Sequence, residues 1–130
     1  MYSTSDPPFN LSHCIIEDHW YDTTVVVTCR GVLDMLTAPV LERHLNETLD
    51  GQASAAVIDL TGVDFLASHG MSVLIASHDR VSGRLPFCVV ADGPIARPLK
   101  LVGFDELMPL HTRLDQALEQ VQSDTRQAFA

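Results

Sequence analysis

Val57-Ile58-Asp59-Leu60-Thr61-Gly62-Val63-Asp64-Phe65-Leu66-Ala67-Ser68-His69-Gly70-Met71 is the stretch whose reading decides the fold. It holds a short apolar run, a polar turn, and then a serine followed two residues later by glycine, where a helix should begin. Ala55 to Leu60 is apolar apart from Asp59, the mark of a central strand buried on both faces. A helix is predicted from about Ser68 to Ser82. Met71, Leu74, Ile75, His78 and Val81 trace its inner stripe, and Gly83 ends it. Ser68 then stands at the N-cap, where helix N-termini collect anions. It is either an ordinary cap or a phosphorylation switch.

Upstream, Leu11 to Ile16 suits an edge strand, and Asp18 to Thr23 is polar enough to turn. Thr24-Val25-Val26-Val27-Thr28-Cys29 is a β-branched strand. The two strands form a hairpin with a loop longer than the tightest turns. Thr37-Ala38-Pro39 opens a helix with a capping hydroxyl and a first-turn proline. Ala38, Leu41, Leu45 and Leu49 form its stripe, and Gly51 stops it. Downstream, Pro86 to Ala91 is a buried strand. Asp92-Gly93-Pro94 starts a short helix that Pro98 makes irregular and Gly103 ends. Glu106 to Leu110 is a last short strand. Thr112 to Val121 is a helix with Leu114, Ala117, Leu118 and Val121 inward. The expected fold class is α/β: one domain over residues 11–122, with a mixed sheet of four to five strands flanked by about four helices. Residues 1–10 are expected to be a flexible N-terminal segment and 123–130 a flexible C-terminal tail.

The composition excludes several functions. With 130 residues, the chain is long enough for one domain with a real core. A net charge of −9, with only eight Lys and Arg residues, argues against nucleic acid. No apolar run approaches the roughly 18 residues of a membrane span, so no membrane insertion is expected. The N-terminus lacks the basic and apolar regions of a signal peptide, and the protein reads as cytoplasmic. Cys14, Cys29 and Cys88 fall in separate strand-like segments and are expected as free buried thiols. Cys29 and Cys88 are the pair that neighbouring strands could bring close.

Catalytic signatures are missing. The chain has neither a phosphate-binding G-x-x-x-x-G-K-[ST] loop nor a G-x-G-x-x-G. It has no G-x-S-x-G, the turn that exposes an esterase nucleophile. Ser68 and His69 are adjacent, and helical neighbours point apart, so they cannot work as nucleophile and base. The six histidines show no H-x-x-x-H or H-E-x-x-H spacing. No catalytic residue, metal or cofactor is expected, and the chain reads as a binding module rather than an enzyme.

Three segments carry a resemblance. Gly31-Val32-Leu33-Asp34-Met35-Leu36-Thr37-Ala38-Pro39 resembles the G-x-L-D-x-x-T-A-P segment of the anti-sigma factor antagonists, in the STAS-domain family. Asp59 to Met71 resembles that family's D-L-S-x-V-x-F-[IML]-D-S-[SA]-G-[LI] signature. Leu101-Val102-Gly103-Phe104-Asp105-Glu106-Leu107 resembles its L-x-x-x-G-[LF]-x-x-[LF] run. The resemblance spans roughly residues 11 to 121. It implies a single STAS domain that binds an anti-sigma factor with serine kinase activity and so releases a sigma factor. It implies Ser68 as the phosphate acceptor, with Asp34, Ala67, Ser68, His69, Gly70 and Met71 on the partner-binding face. Binding ends on phosphorylation, and a phosphatase restores it. The chain departs from the signature at Ala67, where the family has aspartate, and at His69, where it has a small residue. The expected free state is a monomer. The alternative is a small cytosolic STAS subunit of a membrane transport complex, unphosphorylated and marked by a stable transporter partner.

Overall fold

The computed structural model describes residues 14–128. The expected N-terminal segment 1–10, and the first three residues of the expected edge strand, lie outside them. The elements run β1 (Cys14–Tyr21), β2 (Thr24–Leu33), α1 (Ala38–Leu49), β3 (Ala55–Leu66), α2 (Ser68–Val81), β4 (Phe87–Val90), α3 (Gly93–Leu101), α4 (Phe104–Leu107), β5 (Leu110–His111) and α5 (Leu114–Ala128). The strands form one sheet in the order β1-β2-β3-β4-β5. β1 is antiparallel to β2, and the other three pairings are parallel. This is the expected mixed α/β architecture, with five strands and five helices among the described residues.

The hairpin is tighter than its sequence suggests. Asp18 to Tyr21 continue β1, pairing as far as Tyr21 with Thr24. Only Asp22 and Thr23 turn, with Asp22 at φ 57°, a left-handed conformation that aspartate tolerates. β1 is an edge strand exposed from Glu17 to Tyr21, so polar residues there cost little and their polarity does not mark a loop.

β3 also outruns its apolar stretch. Thr61 to Leu66, expected as a turn, extend the strand. Asp59 sustains the extension: its Oδ1 accepts from the Thr61 amide at 2.9 Å and from Thr61 Oγ1 at 2.8 Å. β2 follows it to Leu33 through two register shifts. β4 ends opposite Asp59, so the last seven residues of β3 project past it.

One apolar core joins the sheet to α1, α2 and α3 through Leu41, Leu45, Ile58, Leu74, Leu99 and Phe104. A smaller one, of Val26, Val57, Cys88, Val90, Ala117 and Val121, lies under α5. The buried stripe of α2 is Gly70, Val73, Leu74, Ser77 and Val81, with Met71 and Ile75 only packed beside it. Small residues at 70 and 77 let the helix approach closely, which rotates it away from the stripe expected from large residues. His78 meets Phe87 edge-on at 5.8 Å.

The C-terminal third differs from expectation at three places. Phe104 to Leu107 form a helical turn, so Glu106 and Leu107 are helical where the sequence predicts a strand over Glu106 to Leu110; Gly103 takes φ 80° and Phe104 is fully buried in the core. The last strand is only Leu110–His111. α5 starts at Leu114 and continues past Val121 to Ala128, with Thr125 Oγ1 donating to the Val121 carbonyl at 2.8 Å.

All three cysteines are free and buried. Cys29 and Cys88 are not neighbours: β3 separates their strands, and they lie in opposite cores. Burial, with Asp34's charge, pushes the Cys14 thiol up to about 11. Burial, with Asp124's charge, pushes Cys88 to about 12. Fully buried Cys29 is raised further still, with Cys14, Asp59 and Asp18 adding to the effect. An unfolded thiol titrates near about 8.5, so above that pH the unfolded chain releases protons that the folded chain keeps. The stabilisation is complete below that pH and lost as pH rises through the folded values. Urea midpoints should therefore fall between about pH 8 and pH 10, and the fall should shrink in Cys14→Ala; equal slopes contradict it. Thiol titration should find three groups in denaturant and almost none in the native protein.

Candidate functional site

Because β2 and β3 are parallel, their last residues, Leu33 and Leu66, lie side by side. The Ala67 amide then donates to the Leu33 carbonyl at 2.8 Å, extending the ladder by one bond. Ala67, not Ser68, is the N-cap of α2, and no side chain caps the helix. The Ala67 carbonyl instead accepts from the Gly70 and Met71 amides at 3.0 and 3.2 Å. Ser68 is the first helical residue. It and His69 are exposed, Ala67 and Met71 are half-buried, and Gly70 is buried.

Gly70 sets how close α2 comes to β2. A Cβ there would lie 2.7 Å from Leu66 Cδ1, 3.1 Å from Leu33 Cβ and 3.5 Å from the Leu33 carbonyl oxygen. Only glycine lets the first turn of α2 rest on the end of β2.

The chain leaving Leu33 forms a tight polar turn. Asp34 Oδ1 accepts from the amides of Leu36 and Thr37 at 3.0 and 3.1 Å. The Asp34 amide donates to Thr37 Oγ1 at 2.9 Å, and that hydroxyl donates to the Val32 carbonyl at 2.8 Å. Thr37 occupies the N-cap of α1, as expected, but its hydroxyl faces back into the turn rather than capping. The two amides ahead of the helix go to the Asp34 carboxylate, an aspartate turn, and the first helical amide, that of Ala38, donates to the Asp34 carbonyl at 2.8 Å.

Asp34 and residues 67–71 are thus held together, by the Ala67–Leu33 bond and by the contact across Gly70. Met35, Leu36 and Phe65, which sequence reasoning did not single out, are exposed at the same end of the sheet. Met35 and Leu36 fall between the last strand residue, Leu33, and the first residue of the α1 stripe, Ala38. An apolar pair in such a gap is the signal that could have marked them. Among the described residues no group of three His, Cys, Asp or Glu side chains is placed to hold a metal ion. No helix there is long and apolar enough to cross a membrane.

Residues 16–117 match the STAS domain family. The chain belongs to the STAS-domain family. Its STAS domain is 35% identical over 104 residues to the anti-sigma-F factor antagonist RsfB of Mycobacterium tuberculosis, covering 79% of this chain and 84% of RsfB. The crystal structure of an anti-sigma factor antagonist from Mycobacterium paratuberculosis superimposes with a TM-score of 0.82 at 36% identity, over 86% of this chain and 97% of that one. Unphosphorylated SpoIIAA, from Bacillus, shares the fold with a TM-score of 0.66 at 16% identity, over 84% and 97% of the two chains.

The departures of this STAS sequence fall where the backbone does not depend on them. Ala67 acts through its amide and carbonyl alone, and His69 projects from the surface. Gly70 is the position where change would matter. Gly70→Ala should cost about 1–3 kcal/mol, the range for overpacking, measured by urea unfolding; a change under about 0.5 kcal/mol would contradict the close approach.

Proposed function

We propose that this STAS domain is an anti-sigma factor antagonist: a binding module with no catalysis of its own. It binds an anti-sigma factor with serine kinase activity in the cytoplasm and so releases a sigma factor. Phosphorylation of Ser68 ends the binding. The observation that carries this reading is the exposed Ser68 at the start of a helix clamped against the Asp34 turn, in a chain over one-third identical to anti-sigma factor antagonists.

The physical chemistry is consistent with a switch that leaves the fold intact. Phosphate adds roughly −1.5 to −2 charges at neutral pH. Ser68 opens α2, so that charge would sit at the positive end of the helix dipole, where the helix tolerates it. A partner seated on the same spot would have to desolvate or exclude it. The partner face comprises Asp34, Ala67, Ser68, His69, Gly70 and Met71. Asp34 acts there chiefly by shaping the turn, since its Oδ1 accepts from the amides of Leu36 and Thr37.

Ser68 variants test the switch against the purified anti-sigma factors of the source organism. Ser68 makes no capping bond. Ser68→Ala should therefore change stability by less than about 0.5 kcal/mol and bind like the wild type. Ser68→Glu should stay folded but bind at least about tenfold more weakly, a loss of about 1.4 kcal/mol. Equal binding by all three proteins would contradict the switch. Incubation with the bound partner and ATP should add one phosphate, located at Ser68 by mass spectrometry.

A further inference from the structure

Met35 and Leu36 are 63% and 76% exposed, and they lie in a turn closed by side-chain-to-backbone hydrogen bonds. The Leu36 amide is bonded to Asp34 Oδ1, and the turn closes at Thr37 through bonds to Asp34 and Val32. Phe65, 55% exposed, pairs in register with Val32 on the neighbouring strand. Single exposed apolar residues are ordinary. Two consecutive ones on a turn whose backbone is hydrogen-bonded, with an exposed aromatic residue near the end of the next strand, offer apolar area on a backbone that would lose little conformational freedom on binding. Methionine and phenylalanine are also enriched in interface cores.

The charge around them has one sign. Residues 31–42 and 60–79, which hold this end of β2, β3, α1 and α2, include no lysine or arginine; Arg43 follows on α1, and Arg80, at the other end of α2, is paired with Asp50 at 2.6 Å. They include Asp34 and the exposed Asp64. The nearest cation along β2 is Arg30. Its stem lies over Gly62, and its guanidinium reaches Glu17 of β1 at 3.3 Å. We propose that Met35, Leu36 and Phe65 are the apolar centre of the partner-binding surface, selecting an anti-sigma factor whose facing surface is apolar in the middle and edged with lysine or arginine. The inference rests on the function proposed above and identifies what that partner must present.

The test is calorimetric titration against the anti-sigma factors of the source organism, in about 50 and 500 mM NaCl. Met35→Ser/Leu36→Ser should weaken binding at least about tenfold while leaving the urea midpoint unchanged. If the double variant is destabilised, Leu36→Gln alone is read on the same scale. Leu101→Ser, at an 80% exposed leucine on the connection from β4 to β5, should bind within about twofold of the wild type. Asp64→Asn should weaken low-salt binding several-fold and flatten the salt dependence. Wild-type binding with an unaffected double variant overturns this inference and leaves the function standing. An equal loss in Leu101→Ser overturns the placement of the surface, and an unchanged salt slope in Asp64→Asn overturns its basic edge. No binding by the wild type overturns both the function and this inference.

Discussion

The Ala67 amide reaches the Leu33 carbonyl at 2.8 Å, and the arrangement of the site depends on that bond. It adds one rung to the β2–β3 ladder after the strands have ended, where one chain turns toward α1 and the other begins α2. Gly70 reinforces it from the helix side by omitting the Cβ that would collide with Leu33 and Leu66. Two loops far apart in sequence become one surface through a backbone bond and a missing methyl group. Neither device constrains the side chains that face outward, so residues 67 and 69 can vary without moving the frame.

The long β3 makes that surface possible. Projecting past β4, it carries the start of α2 to the end of β2 instead of to the middle of the sheet. The cost of an extended strand with few neighbours is offset locally: Asp59 ties down Thr61, and the register shifts in β2 let the partner strand follow. Below the projection, the sheet is conventional, with β3 at its centre and apolar helices on both faces.

Where burial is two-sided or strictly periodic, the sequence announces its structure: β2's β-branched run, the apolar part of β3, and the Ala38-Leu41-Leu45-Leu49 stripe of α1. The errors share a cause. Asp18 to Tyr21 lie on an exposed edge strand and Thr61 to Leu66 on a projection buried only at Val63 and Leu66, and polar residues admitted at such places look like those of a loop. In α2, Leu74 and Val81 are buried as expected, but Gly70, Val73 and Ser77 take the places expected for Met71, Ile75 and His78, because small residues can be buried without a hydropathy signal. Glu106 to Leu110 reads as one strand although only Leu110 is in β5, because the left-handed Gly103 starts a short helical turn that takes in Glu106 and Leu107. At the proposed site, the family signature points to Asp34 and Ser68, and the structure places the Asp34 turn beside the start of α2. The roles of Ala67 and Thr37 are not legible in it: Ala67 acts through a backbone bond to Leu33 on another strand, and the Thr37 hydroxyl turns back to the Val32 carbonyl instead of onto α1.

The central claim is that the Asp34 turn and the first turn of α2 form one rigid unit joined at Ala67. Native-state amide hydrogen exchange measures this at the bond itself. The account predicts that the Ala67 amide exchanges only through global unfolding, with protection matching that of core amides such as Ile58 and Leu41. Exchange at Ala67 through a local opening, several kcal/mol easier than global unfolding, would contradict it and leave the two loops as independent pieces.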